Sequence, residues 1–128
     1  MIVNDGKKVL LDFQSSGLST CYWRLGTNDV VVSPTTVLTD ITEAAWSGYA
    51  QQAMNSMNAA TLVGSRAQAT PAANPTFSNT SGSDQTFYMV YLMDPVSGKL
   101  VDARNIGATT IPDGQDYVLL PAITDTQE

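Results

Sequence analysis

The chain has 128 residues, 43% of them apolar and only 14% charged, and its 12 acidic against 6 basic side chains give a net charge of −6. That length suits one domain with a real but modest core. The acidic balance, with Lys7, Lys8, Arg24, Arg66, Lys99 and Arg104 scattered along the chain, excludes a broad phosphate-binding surface.

Taken in order, "NDGKKVLLDF" (Asn4 to Phe13) places Val9, Leu10 and Phe13 at helical spacing behind a cap at Asn4 or Asp5. A short helix is expected there, ended by "SSG" at Ser15 to Gly17. "LSTCYWRLGTND" (Leu18 to Asp29) alternates Leu18, Thr20, Tyr22 and Arg24 against Ser19, Cys21, Trp23 and Leu25, and its β-branched and aromatic content predicts a strand. Pro34 then punctuates the way into "VLTDITEAAWSGYA" (Val37 to Ala50), where Asp40 and Glu43 read as a capping-box-like pair on one helical turn near residues 40–46. Trp46 is expected to drop into the core and Gly48 to reverse the chain toward Tyr49, so that Asp40, Glu43, Trp46, Gly48 and Tyr49 make a structural corner.

Gln51 to Ser83 is bland in Ala, Asn, Ser and Thr, with "LVG" at Leu62 to Gly64 as its apolar knot, and fits two short strands joined by turns. "DQTFYMVYLMD" (Asp84 to Asp94) is the strongest strand, with Phe87, Met89, Tyr91 and Met93 on one face and Tyr88, Val90 and Leu92 on the other. Apolar residues on both faces predict a strand covered on both sides, or one face meeting another subunit. "DPVSGK" then reads as a hairpin connection with Gly98 at positive φ, and "LVDARNI" (Leu100 to Ile106) as the returning strand. "IPDGQ" supplies a further turn and "DYVLLPAIT" (Asp116 to Thr124) a last strand, with an edge or bulge at Pro121. The expected fold is mainly β: an antiparallel sandwich or barrel-like single domain over 1–128, with a helical segment at 1–16 and the β domain at 17–128.

Chemistry is sparse. The chain has no histidine, which removes the commonest general base and metal ligand, and its one cysteine, Cys21, leaves no internal disulfide. No glycine-rich phosphate loop is present, and the aspartates at 84, 94, 102, 113 and 116 fall in turns or on a strand's polar face without a calcium-loop pattern. Lys99, Asp102 and Arg104 are candidates for cross-strand ion pairs with Asp94 or Asp84, which carry no functional meaning when exposed. No apolar run approaches the roughly 18 residues of a membrane span. Met1 to Phe13 holds only "VLL" behind its lysines, too short for a secretory signal, so the "NTS" triplet at Asn79 is set aside. The expectation is no enzyme, no cofactor, no metal, no nucleic acid and no membrane, in a protein made and kept, or assembled, in a cytoplasm.

In their order along the chain, "VNDGKKVLLDF", "LSTCYWRLGTND", "TTVLTDITEAAWSGYA" and "TFYMVYLMDPVSGKLVDARNI" resemble a group of small virion proteins of tailed bacteriophages. Leu38, Asp40, Thr42, Glu43, Ala44, Trp46, Gly48 and Tyr49 match an L-x-D-x-T-E-A-x-[FW]-x-G-Y segment without a gap. Tyr91, Asp94, Gly98, Leu100 and Ala103 follow the group's hairpin order with an extra residue between Asp and Gly, and Gln51 to Ser83 is where the likeness is weakest. The resemblance implies a non-enzymatic structural part of the particle.

The expected role is a capsid decoration (cement) protein that sits on the virion as a homo-oligomer against the major capsid protein or other virion proteins. Its expected contact surfaces are Ile2, Val3 and Leu10 with the strand face of Phe87, Met89, Tyr91 and Met93. A tail or baseplate accessory module, receptor-facing, is the alternative within the same group. A small carbohydrate-binding module using Trp23 or Trp46 is the alternative outside it.

Overall fold

A computed structural model describes residues 1–6, 21–53, 61–63, 66–69, 74–119 and 123–125. Asn4 to Gly6 are helical, and the remainder of the expected N-terminal helix, Leu10 included, lies outside the described residues. The strands are β1 (Tyr22–Gly26), β2 (Gln52–Ala53), β3 (Thr61–Val63), β4 (Arg66–Ala69), β5 (Thr76–Ser78), β6 (Gln85–Asp94), β7 (Lys99–Ile111), β8 (Asp116–Val118) and β9 (Ile123–Asp125), with one 3-10 turn at Leu38–Asp40. They form a four-stranded sheet in the order β2-β1-β6-β7, a three-stranded sheet β3-β4-β9 and a two-stranded sheet β5-β8. Among the described residues every strand pairing is antiparallel. The domain is mainly β and sandwich-like, not a closed barrel.

Two core clusters cover the two faces of the four-stranded sheet. The larger joins Trp23 and Leu25 of β1, Phe87, Val90 and Leu92 of β6, and Val101 and Ile111 of β7 to Phe77 of β5 and Leu119. The short β5–β8 sheet lies over this face, its Phe77 and Tyr117 paired in register. The smaller cluster gathers Val3, Ile41, Met89, Tyr91, Leu100 and Ala103 on the opposite face, closed by Val30, Val32, Leu38 and Tyr88. The central strand is therefore covered on both sides within one protomer. Each fully buried large side chain contributes roughly 1.5–3 kcal/mol, so these two clusters are a large favourable contribution to folding.

The hairpin of β6 and β7 departs from simple alternation. Phe87 pairs with Thr109 but Met89 with Asn105, so β7 carries extra residues around Gly107, and a second shift falls between Leu92 and Met93. Such irregularities change which face a strand's side chains meet. The equal-parity set Phe87, Met89, Tyr91 and Met93 consequently does not share a face: Phe87 joins Val90 and Leu92 in the large cluster, and Met89 and Tyr91 join the small one. The connection itself is closed by Asp94, whose carboxylate accepts the Val96 and Ser97 amides at 3.1 Å and the Ser97 hydroxyl at 2.6 Å. Gly98 takes φ +68.

Other expectations shift in detail. The returning strand runs to Ile111 instead of stopping at Ile106, because Thr109 and Thr110 continue the ladder opposite Phe87 and Thr86. The single last strand is two, β8 pairing with β5 and β9 with β4; Pro121 falls between them, outside the described residues. The bland region holds β2, β3, β4 and β5 where two strands were expected.

Candidate functional site

The segment from Val37 to Ala50 is where polar side chains converge. Its helical turn comes earlier than residues 40–46 and is a 3-10 turn. Asp40 is the last residue of that turn and reaches back, its Oδ2 accepting the Val37 N–H at 3.0 Å. Val37 has no side-chain acceptor, so only this half of a capping box exists. Glu43 takes no part in it, which corrects the expected Asp40–Glu43 pairing: the turn has closed before residue 43. Asn28, just past β1, fastens the exit by donating Nδ2 to the Asp40 carbonyl and accepting the Thr42 N–H, both at 2.8 Å.

Beyond the turn the chain runs along the outer edge of β1. Thr27 N–H donates to the Thr42 carbonyl and Ala44 N–H to the Leu25 carbonyl, each at 2.9 Å, with Gly26 and Glu43 bridged between them. On the same edge β2 pairs only with Tyr22 and Trp23. The Leu25 N–H in between would lack a strand partner, and it donates to the Tyr49 hydroxyl at 3.2 Å. The Tyr49 O–H donates in turn to Glu43 Oε2 at 2.9 Å, and Arg24 Nε lies 3.2 Å from the same oxygen while donating to Gln51 Oε1 at 2.8 Å. An open strand edge is thereby closed by a side-chain relay.

The rest of the corner anchors to β5 and its exit. Trp46 Nε1 donates to the Ser78 carbonyl at 2.9 Å, its ring meets Tyr49 edge-on at 5.5 Å, and Tyr49 stacks on Phe77 at 5.9 Å. Trp46 packs against the large cluster but stays half-buried, because its ring nitrogen reaches a carbonyl at the sheet margin. Gly48 has φ +90, and a Cβ there would stand 2.7 Å from Thr80 Oγ1 and 2.9 Å from the Thr80 nitrogen, which donates to the Ser47 carbonyl.

The electrostatics make these groups chemically quiet. Burial, with the neighbouring Glu43 charge, pushes the Tyr49 phenol far above its ordinary value, although the Leu25 amide acts the other way. Tyr91 is pushed up to about 12, mainly by burial, then by Glu43, with Arg24 opposing. Cys21 also rises to about 12, through burial and then the charge of Asp94. Both phenols and the thiol keep their protons at neutral pH, which withholds the anionic form that a nucleophile needs. Among the described residues no group of His, Cys, Asp and Glu is arranged to hold a metal ion, and no helix is long and apolar enough to cross a membrane.

Among the described residues, most of the expected contact residues are buried. Val3, Phe87 and Met89 are 0% exposed, Tyr91 1% and Met93 5%; Phe87 is held in the large cluster, and Val3, Met89 and Tyr91 in the small one. Ile2 is half-buried, bridged to Asp102 on β7. Trp23 is 1% exposed and offers no platform to a sugar ring. Among the described residues the exposed large apolar side chains are Met1, Val31, Val37, Val96, Ile106 and Val118. The ion pairs also differ from expectation: Arg104 meets Asp102 on its own strand at 3.1 Å and Lys99 lies 4.0 Å from Asp5. Asp94 is spent on its turn and Asp84 accepts the Asp113 N–H.

Sequence reasoning passed over Arg24, Asn28 and Gln51, which complete the corner, and Asn79. The Asn79 side chain, wholly buried, donates to the Ser83 and Ile111 carbonyls at 2.8 Å and accepts from the Ser81 amide and hydroxyl. A polar residue in a polar stretch gives no signal of its own, since its burial depends on strands far away in sequence. No family model, curated protein or solved structure matches the chain.

Proposed function

We propose that this chain is a structural protein of a bacteriophage virion, a capsid decoration protein that binds the assembled shell in several copies around a symmetry axis and stabilises it. The observation that carries the reading is the ungapped segment from Leu38 to Tyr49. Its distinguishing side chains are used to build a corner: Asp40 on its own turn, Glu43 and Tyr49 on the β1 edge, Trp46 on Ser78, and Gly48 against Thr80. A pattern spent on architecture suits a protein whose work is contact. A protein that binds only the assembled shell shifts the assembly equilibrium by linkage, by about 2.7 kcal/mol per site at a free concentration 100 times Kd.

The test is the position of the labelled protein on particles by electron microscopy. Label on the head at regular, symmetry-related points is the expected result. Label confined to the tail or baseplate overturns the decoration role and favours the accessory module of the same group.

A further inference from the structure

We draw no further inference here: the strongest candidate, the outer edge of β7 from Asn105 to Thr110 with the exposed Ile106 on it, is a stretch of sheet edge for which nothing among the described residues shows what covers it.

Discussion

Gly48 and Gly82 share almost the same backbone, φ +90 and φ +88, but not the same surroundings. Nothing lies within 4 Å of a Cβ built on Gly82, whereas one on Gly48 meets the Thr80 hydroxyl and backbone nitrogen inside 3.0 Å. An L-residue in this left-handed region costs roughly 1–2 kcal/mol. Gly82→Ala is expected to lose about that much, and Gly48→Ala measurably more, because the Thr80 N–H must move off the Ser47 carbonyl. Urea midpoints of the two variants check this, and equal losses would show that Thr80 yields freely. Buried ionisable groups make a second residue-level prediction. Tyr91 and Cys21 both hold their protons to about 12 in the folded chain, above the ordinary range of about 8.5–10 for a thiol and a phenol. Raised values mean that the folded state binds protons the unfolded chain has released, so stability falls as pH rises through that interval toward 12. Below the ordinary range the contribution is fully present. Tyr91→Phe should flatten part of the alkaline decline in urea midpoint between about pH 10 and 12, and an unchanged slope would contradict the burial of its phenol.

At the level of elements, the β6–β7 hairpin shows what strand alternation can and cannot predict. Its position was legible because apolar and β-branched residues concentrate there, and the Asp94 to Lys99 turn because Asp and Gly stand where a tight connection needs them. The face of each side chain was not legible, since the pairing of β6 with β7 breaks register between Phe87 and Met89 and nothing in the β6 sequence marks that break. Phe87 consequently meets Tyr117 of β8, ring centroids 5.0 Å apart and edge-on, and belongs to a different cluster from Tyr91. A double-mutant cycle separates the two arrangements. Phe87→Leu with Tyr117→Leu is expected to give a coupling of about 0.5–1.5 kcal/mol, the usual range for an aromatic pair. Phe87→Leu with Tyr91→Leu should be additive to within about 0.5 kcal/mol. Coupling to Tyr91 in place of Tyr117 would restore the unshifted strand. The same reasoning explains the corner: Gly48 and Tyr49 stand out in sequence, but Arg24, Gln51 and the Leu25 amide join them only once the chain runs along the β1 edge.

For the molecule as a whole, inclusion in the protomer's own core and contact with a partner make opposite demands on one side chain. The surplus of apolar residues on β6 reads equally well as a covered strand or a subunit seam, because sequence pattern reports the need for burial and not what provides it. The second core cluster, assembled from the N-terminal residue Val3, the corner residue Ile41 and the β7 residues Leu100 and Ala103, provides it internally. In the proposed decoration role, contacts to a shell would then draw on side chains that remain outside, such as Val31 at 90% and Val96 at 82% exposure. This gives two classes of variant with different expected behaviour on particles. Met93→Ala, truncating a side chain 5% exposed, should cost about 2–5 kcal/mol of stability and lower particle occupancy only at temperatures where the protein itself begins to unfold. Val31→Asp and Val96→Asp should change stability by no more than about 0.5 kcal/mol, so any occupancy they lose is lost at the contact. Melting of the free protein and occupancy of purified heads, measured over the same temperature range, distinguish these outcomes. A fall in occupancy for Met93→Ala with melting unchanged would return β6 to the shell contact, since truncation would then be acting on a surface that the protomer leaves open.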